Sequence, residues 1–389
     1  MTYLTEERLM IQKTAREFSM KEVLPVANEL DKVKGDIPMS LRDKMAAMGY
    51  FGIRMPEQYG GLGLGVMEYC IITEELARGW MSVASIIARA GGVGWSSEEQ
   101  RQKYLPRIAR GEFLGAVALS EPEAGSDLAN ISCRARREGD EWVINGNKMW
   151  CTFADGADYI TVLCRTEDPD PANRHKGTGM FFFEKERGSF PPGLHATPMN
   201  KIGYFGWKTW ELHFEDFRLP LSALIGGDER TETQLKGTMS GLSTARVHTA
   251  ARAIGLSRGA LEDSIAYAKH RVQFKRPIAE FQAIRFKIAE MAAEIEAARQ
   301  LMYYAADLDD RNERCDKEAS MSKWFASEMA ERVTSQALQI HGGVGYTSDL
   351  PIERYWRDAR LTKIFEGTSE IQLRIISDRL LGKAASDNV

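Results

Sequence analysis

Four long amphipathic segments near the C-terminus constrain the fold of this chain more than any other feature. Each carries apolar residues at helical spacing along one face. The segments run from Gly237 to His270, Ile278 to Asp309, Lys317 to Ile340 and Glu370 to Leu381. A helix with one apolar face has to bury that face against a partner. Four such helices in succession therefore predict an antiparallel four-helix bundle.

The N-terminal part of the chain also shows helical periodicity, from Thr5 to about Gly111. Thr5 precedes the first periodic segment and is predicted to cap that helix. Further helices are predicted from Met67 to Arg78 and from Ser97 to Arg110. A segment of small residues, Ser82 to Gly94, is predicted to connect them.

Between the helical parts, short β-type segments alternate with Gly, Pro and Asp. The clearest are Gly115 to Ser120, Ser132 to Arg137, Trp142 to Ile144, Tyr159 to Arg165, Gly179 to Glu184 and Glu211 to Phe217. This pattern predicts an antiparallel, barrel-like β-domain. We therefore expect a mainly α chain with a central β-domain: an N-terminal helical domain at 1–113, the β-domain at 114–228 and the helical bundle at 229–389.

Charge and cysteine usage exclude several classes of protein. The 389 residues carry a formal net charge of −4 with both signs interspersed, which is not typical of nucleic-acid binding. The five cysteines form no CxxC pair and the six histidines lack metal-ligand spacing, so we expect neither disulfides nor a metal. No apolar signal core or membrane-spanning run is visible. The cytoplasm is the expected compartment, or the mitochondrial matrix for a processed eukaryotic chain.

One carboxylate, Glu366, follows a segment rich in cations that begins at Arg357. Phe365 precedes it and Gly367 follows it, which predicts a partly desolvated carboxylate whose direction is set by a turn. Burial raises the pKa of a carboxylate toward the operating pH, so Glu366 is a candidate general base. The alternative is a surface glutamate at a helix start, capped by a Thr or Ser. This segment alone does not decide between the two.

Two stretches of the β-domain place polar groups where a strand ends. Leu119 and Ser120 begin a sharp turn that runs to Ser126 and offers N–H groups and hydroxyls to a polar ring or a phosphate. An ordinary β-turn is the simpler interpretation. Trp150 and Thr152 bring an indole and a hydroxyl close together, although a tryptophan is more often part of a core.

Five stretches resemble, in order, the motifs of the acyl-CoA dehydrogenase family: ALSEPEAGSD, NGNKMWCT, RVQFKRPI with FQAI, QIHGGVGY and RDARLTKIFEGTSEIQ. The resemblance covers essentially the whole chain, and five motifs in this order are highly specific. It implies an FAD enzyme that desaturates an acyl-CoA thioester between the α and β carbons, giving the trans-2-enoyl-CoA. The expected partners are an electron-transfer flavoprotein and further copies of the chain, usually as a tetramer.

The resemblance also implies roles for individual residues. Glu366 would remove the α-proton while the β-hydride passes to flavin N5, and its backbone N–H would help to hold the thioester oxygen. The positions that match flavin contacts are Leu119, Ser120, Ser126, Trp150, Thr152, Arg271, Gln273, Phe274, Gln282, Gln339, Gly342, Gly343, Thr368 and Glu370. The positions that match substrate contacts are Ser126, Arg246 and Gly367. The segment beginning at Arg271, together with Gln339, Gly342 and Gly343, would reach the flavin of a neighbouring subunit.

The chain departs from the family pattern at several places. Lys275 replaces the glycine of RxxFG, and either adds a phosphate contact or points to solvent. Ser243 replaces the aspartate of DxxR, three residues before Arg246. The segment from Ser82 to Ser97 is shorter than is typical, which leaves the shape of the acyl pocket open. A group of bulky residues either narrows that pocket or packs between domains. They are Tyr204, Phe205, Trp207 and Trp210.

Two other classes of protein remain possible on this fold. The first is a flavin oxidase or monooxygenase that uses oxygen, although such an enzyme has no need of a base at Glu366. The second is a helical scaffold or flavin-binding interaction protein, which would be favoured by a colourless preparation that does not bind FAD. The acyl chain length and branching are not predicted.

Overall fold

The N-terminal part of the chain is helical, as the sequence predicts. The computed structural model describes residues 3–91, 97–170, 173–174, 176–227 and 242–382. The helices described before residue 110 are α1 (Glu6–Phe18), α2 (Leu24–Leu30), α3 (Met39–Ala47), α4 (Val66–Gly79), α5 (Met81–Ile86) and α6 (Glu98–Ala109). The predicted cap of the first helix is confirmed, because Thr5 Oγ1 accepts a hydrogen bond from the Arg8 N–H at 3.2 Å.

A seven-stranded sheet occupies the middle of the described chain. Its strands are β1 (Gly115–Ala118), β2 (Arg134–Glu138), β3 (Glu141–Thr152), β4 (Tyr159–Arg165), β5 (Thr178–Glu184), β6 (Leu194–Pro198) and β7 (Thr209–Pro220). The order is β1-β4-β2-β3-β7-β6, and β5 pairs with β4. The central β-domain is confirmed, but the expectation of purely antiparallel strands is wrong, since β4 pairs in parallel with both β1 and β2.

Long helices return in the C-terminal part. The elements are α7 (Leu242–His270), the hairpin strands β8 (Val272–Gln273) and β9 (Arg276–Pro277), α8 (Gln282–Asp310), α9 (Asp316–His341), α10 (Ile352–Thr362) and α11 (Ser369–Leu381). The predicted bundle is confirmed in α7, α8, α9 and α11, which pack against one another. The predicted start of the first of these helices, at Gly237, lies outside the described residues. Among the helices described, none is both long and apolar enough to cross a membrane.

Two helices differ from the sequence prediction. The small-residue segment after α4 is helical as far as the structure describes it, because α5 is followed by a 3₁₀ turn at Ile87–Ala90. Residues 92–94 of that predicted segment lie outside the described residues. Helix α10 was not predicted, although its buried Ile352, Tyr355 and Ala359 are at helical spacing.

A close crossing of α4 and α7 sets the position of the candidate site. A Cβ built on Gly255 would lie 2.2 Å from the Glu74 carbonyl oxygen, so only glycine permits this approach. The face of α7 before this crossing contains the fully buried Val247 and Ala250. The crossing therefore brings the polar residues in the first half of α7 next to α4 and α5.

Candidate active site

Glu366 lies in the turn between α10 and α11. Glu366 and Gly367 have φ values of 53° and 90°, so two consecutive residues adopt left-handed backbone conformations. The Gly367 carbonyl oxygen accepts hydrogen bonds from Lys323 Nζ at 2.5 Å and Gln372 Nε2 at 2.9 Å. Thr368 then caps α11 by accepting a hydrogen bond from the backbone of that helix. These contacts hold the turn that directs the Glu366 side chain toward α7.

Two side chains of α7 bind the Glu366 carboxylate. Arg252 donates to Oε1 at 2.7 Å, and the Thr249 hydroxyl lies 2.5 Å from Oε2. The same guanidinium also donates to Thr249 Oγ1 at 2.8 Å and to Ser85 Oγ at 2.9 Å. Glu366 is therefore held by a network that joins α5, α7 and the turn before α11.

The Arg252 guanidinium reverses the expected direction of the Glu366 pKa. Burial raises the pKa of Glu366, but the adjacent positive charge outweighs burial and lowers the pKa to about 2. His248 adds no charge at neutral pH, because burial lowers its own pKa to about 3. The expectation that burial would raise this pKa toward the operating pH is therefore wrong. Glu366 is ionised at neutral pH because it is paired with a buried cation.

Aromatic rings enclose this ion pair. The Arg252 guanidinium lies 4.6 Å from the centre of the Phe365 ring, and Tyr204 meets that ring edge-on at 5.7 Å. Tyr69 of α4 stacks on the His248 ring at 4.7 Å. The surroundings of Glu366 are thus aromatic walls around buried polar groups.

The four bulky residues, three in the loop before β7 and Trp210 within β7, have three different surroundings. Tyr204 and Trp207 are buried and pack on each other beside Phe365. Phe205 instead lies between the cations of Lys34 and Arg357. Trp210 donates to Asp155 within the β-domain. Only Tyr204 and Trp207 are thus close enough to the Glu366 turn to narrow a pocket there.

A second group of predicted site residues comes together at the ends of β1 and β3. The Ser120 carbonyl oxygen accepts a hydrogen bond from the Met149 N–H at 2.8 Å, which places Leu119 and Ser120 beside Trp150. Trp150 has φ of 62° and remains 58% exposed, which is unusual for an indole within a strand. Thr152 lies further along the same strand, with its hydroxyl 3.1 Å from that of Thr209.

A buried ion pair fixes this strand junction. Lys148 Nζ donates to Glu121 Oε1 at 2.7 Å and to the Leu119 carbonyl oxygen at 2.9 Å. The Glu121 carboxylate also accepts hydrogen bonds from Ser132 and from the Cys133 N–H. The Lys148 side chain has no solvent exposure. The pair therefore holds the turn that begins at Leu119 against β3.

The third group lies at the far end of the bundle. Arg271, Gln273 and Phe274 form or flank the β8–β9 hairpin at the end of α7, and Phe274 is 88% exposed. The neighbouring end of α9 is held there because Tyr267 stacks on His341 at 4.3 Å. Gln339, Gly342 and Gly343 are exposed at this end of α9.

The third group does not meet Glu366 within one chain. Thr249, which binds Glu366, and Tyr267, which contacts His341, lie on the same continuous helix α7. At about 1.5 Å per residue, these two positions are roughly 27 Å apart along the axis.

The remaining predicted residues are distributed among all three groups. Gln282 begins α8 after the hairpin, and Glu370 is exposed in the first turn of α11. Ser126 is exposed in the turn after β1. Arg246 is buried one helical turn before Thr249, and burial lowers its pKa while Asp316 acts in the opposite direction.

Lys275 adopts the conformation that glycine would adopt most easily. Phe274 and Lys275 have φ values of 50° and 66°, which makes the hairpin turn left-handed at both central residues. A two-residue hairpin of this kind favours glycine. Lys275, which replaces the family glycine, therefore keeps the turn but adopts a backbone conformation that is unfavourable in free energy for a lysine.

The sequence interpretation missed the residues that act on Glu366 and on the strand junction. Arg252 and Thr249 lie more than a hundred positions before Glu366 in the chain. An arginine within the alanine-rich sequence of α7 was the available signal. Lys148 and Glu121 each lie inside a quoted motif, but their pairing is visible only once β1 and β3 are adjacent.

An FAD molecule fits the residues present. The exposed Trp150 indole offers a ring face, and the groups near it include hydroxyls suited to a polar ring edge. Cβ atoms built on Gly125, Gly342 and Gly343 would meet no atom within 4 Å, so the backbone there is open to a ligand. Exposed Arg271 near the last two glycines suits a diphosphate.

The fold and the site together define a three-part enzyme in which an ionised carboxylate lies beside a helical bundle and a β-domain. The chain belongs to the acyl-CoA dehydrogenase family. Models of the acyl-CoA dehydrogenase N-terminal, middle and C-terminal domains match residues 5–112, 116–217 and 235–381. The protein is accordingly an oxidoreductase of that family.

Related proteins match over nearly their whole length. An acyl-CoA dehydrogenase of Bacillus subtilis is 41% identical over 98% of this chain and 99% of its own. A 3-(aryl)acrylate reductase of Clostridium sporogenes is 39% identical over 97% of this chain and 100% of its own.

Solved structures show the same fold. A chain in the structure of the electron transferring flavoprotein of Acidaminococcus fermentans has a TM-score of 0.90 and 38% identity, covering 97% of this chain and 98% of that one. Butyryl-CoA dehydrogenase of Megasphaera elsdenii has a TM-score of 0.89 and 33% identity, covering 97% and 99%.

Proposed function

We propose that this protein dehydrogenates an acyl-CoA thioester to the trans-2-enoyl-CoA, with Glu366 as the base that accepts the α-proton. The observation that carries this proposal is the Glu366 carboxylate, a partly exposed group paired at 2.7 Å with the buried guanidinium of Arg252. A base must be unprotonated to accept a proton, and the lowered pKa of Glu366 ensures that state at neutral pH.

The backbone of Glu366 supplies a second function. Among the described residues, none accepts a hydrogen bond from its N–H group. This donor is therefore available to the thioester oxygen, where negative charge develops as the α-proton leaves. One residue would thus serve the thioester oxygen through its N–H and the α-carbon through its carboxylate.

FAD, when bound, would supply the acceptor for the β-hydride, and the residues near Trp150 and Thr152 would hold its ring. Leu119, Ser120 and Ser126 would contact the same ring from the turn after β1. Thr368 and Glu370 would contact it beyond the base. The Lys148–Glu121 pair supports this arrangement by fixing the turn against β3.

The same carboxylate serves either direction of the reaction, since a reductase needs it to donate the proton that a dehydrogenase removes. The similar Clostridium sporogenes protein is named a reductase. For this protein we propose desaturation, with electrons passing onward to an electron-transfer flavoprotein. The similarity to a chain in the Acidaminococcus fermentans structure supports that partner.

The separation of the third group supports a homo-oligomer, which we propose to be a tetramer. Phe274, Val344 and Tyr346 are exposed apolar residues close to one end of the bundle. A second subunit docked there would cover them. The flavin bound by that second subunit would then lie next to Arg271, Gln339, Gly342 and Gly343 of the first. The length of α7 keeps these residues away from the Glu366 of the same chain.

The proposed activity is tested by anaerobic titration of the flavin-loaded protein with acyl-CoA thioesters of graded length. We expect at least one thioester to bleach the flavin absorbance without added oxygen. The Glu366→Gln protein, loaded in the same way, serves as the control and should stay coloured. If every thioester leaves the flavin oxidised while oxygen-dependent turnover of another substrate occurs, the oxidase or monooxygenase interpretation replaces this proposal.

Arg271→Ala is expected to weaken flavin retention. Removing a cation that pairs with a diphosphate costs about 1.5–3 kcal/mol, or roughly ten- to a hundredfold in affinity. The measurement is the flavin-to-protein absorbance ratio after extensive gel filtration. Lys269→Ala is the matched control, because it removes an exposed cation two residues earlier. Equal flavin content in the two variants would remove Arg271 from the site.

A further inference from the structure

We infer that the acyl chain of the substrate carries a carboxylate, and that Arg252 binds it. This inference rests on the proposed dehydrogenation and names the class of acyl group. It is based on the contact between the buried Arg252 guanidinium and Glu366, the proposed base, whose carboxylate balances its charge.

Arg252 is equipped to bind an anion. Its side chain is 1% exposed, and its Nε–H has no hydrogen-bond partner within the described structure. The guanidinium lies against Ser85 of α5 and Thr249 of α7, both of which carry hydroxyls. A purely hydrocarbon acyl chain would leave the Arg252 Nε–H without a polar partner, whereas an acyl chain that ends in oxygen atoms would accept its hydrogen bond.

The charge balance during the reaction points to a carboxylate in particular. In the free protein, Glu366 neutralises Arg252. When Glu366 accepts the α-proton, its carboxylate becomes neutral and the buried guanidinium loses its counter-ion. Leaving one member of a buried ion pair unbalanced is strongly unfavourable. A carboxylate on the substrate would supply the missing negative charge, whereas a methyl-terminated chain would not.

The exposure of the two partners suggests how the substrate enters. Nearly a third of the Glu366 side chain is exposed, while Arg252 is covered. An anion that reaches the guanidinium therefore approaches past Glu366 and competes with its carboxylate for the cation. That exchange frees Glu366 from its strongest partner and raises its proton affinity as the substrate binds. A substrate without the carboxylate would have to react with a base that stays paired.

A second cation lies in the same region. The Arg89 guanidinium lies 5.3 Å from the centre of the Trp207 ring, and its buried Nε–H has no hydrogen-bond partner among the described residues. Trp207 Nε1 is likewise buried without a partner there. Both groups are donors, as are those of Arg252. The unpartnered polar atoms of Arg252, Arg89 and Trp207 are therefore all donors, which suits an anionic acyl chain.

The test compares matched thioesters on the flavin-loaded wild-type protein. For chains of four, five and six carbons, the ω-carboxyacyl-CoA, its terminal amide and its methyl-terminated analogue are each titrated anaerobically. We expect the best carboxylate to exceed its methyl analogue in kcat/KM by at least about tenfold, with the amide between them. Equal or better reaction of the methyl analogues would overturn this inference but leave the proposed dehydrogenation intact. If none of these thioesters reacts, this inference fails, and the graded-length titration decides separately on the proposed dehydrogenation.

A variant locates the effect at Arg252. Arg252→Gln should lower the ratio of kcat/KM for the carboxylate to kcat/KM for its methyl analogue by at least about tenfold. Ser85→Ala, which removes only a hydroxyl from the guanidinium, should change the preference by a few-fold. A carboxylate preference that persists in Arg252→Gln would assign recognition to another residue.

A binding measurement avoids dependence on that variant folding. In flavin-loaded Glu366→Gln, Arg252 no longer has a charged partner, so it should bind the ω-carboxyacyl-CoA at least about tenfold more tightly than the methyl analogue. The readout is the perturbation of the flavin spectrum on binding, which needs no turnover. Equal affinities would contradict the inference.

Discussion

Glu366→Gln is expected to lower turnover by at least about a thousandfold while leaving the fold and the bound flavin in place. The amide cannot accept the α-proton, so the reaction loses its base. It still offers an oxygen to Arg252 and keeps the size of the side chain, so the turn between α10 and α11 should persist. Steady-state kinetics with the thioester that bleaches the wild-type flavin measure this effect.

The matched control is Glu290→Gln, which removes a carboxylate from the exposed face of α8. This variant should retain wild-type turnover and flavin content. Circular dichroism and the flavin spectrum should be the same for both variants. Turnover of Glu366→Gln within about tenfold of wild type would show that another group accepts the proton.

Lys148→Met is expected to lower the free energy of unfolding by about 3–5 kcal/mol. The substitution removes the cation from a fully buried ion pair and leaves the Glu121 carboxylate without a counter-ion. It also breaks the hydrogen bond that holds the Leu119 carbonyl oxygen. Urea unfolding followed by circular dichroism measures the change, and the flavin-to-protein ratio should fall because the turn after β1 loosens.

The double variant Lys148→Met, Glu121→Gln is the control for this interpretation. It removes the unpaired charge but keeps an amide that can accept from Ser132 and Cys133, so it should recover part of the lost stability. A double variant no more stable than Lys148→Met would attribute the effect to packing instead of charge.

The same pair has a dependence on pH. Burial raises the pKa of Glu121, but Lys148 outweighs burial and lowers it. The unfolded chain therefore binds a proton at this carboxyl at higher pH than the folded chain does. The stabilisation is complete above the ordinary carboxyl pKa and is lost as pH falls through the lowered value. The stability difference between wild type and Lys148→Met should accordingly narrow in acid.

The helices and strands with clear periodicity were predictable because their pattern is local. The cap at Thr5, helix α4 and strand β4 follow from residues within one or two turns of each other. Helix α5 was missed because small residues show no periodicity, although they pack closely when buried. Helix α10 was missed although its apolar residues are at helical spacing, but the contact of its buried Asp358 with the distant Tyr204 N–H could not be read from the sequence.

The site divides in the same way. Glu366 was identifiable because Phe365, Gly367 and Thr368 adjoin it and because the whole segment resembles a family motif. The direction in which its pKa shifts was not identifiable, because burial was the only influence on that pKa visible in the neighbouring residues. Arg252 reaches the carboxylate across the bundle from a position 114 residues earlier.

The sequence by itself determined the helical and β-type parts of this protein, the family to which it belongs and the carboxylate proposed as the base. These properties depend on periodicity and on short motifs, which are contained in neighbouring residues. Only the tertiary structure decided that Glu366 is ionised and that a buried guanidinium lies beside it. Coulombic interactions and desolvation depend on distances in space, and the crossing of α4 and α7 sets those distances.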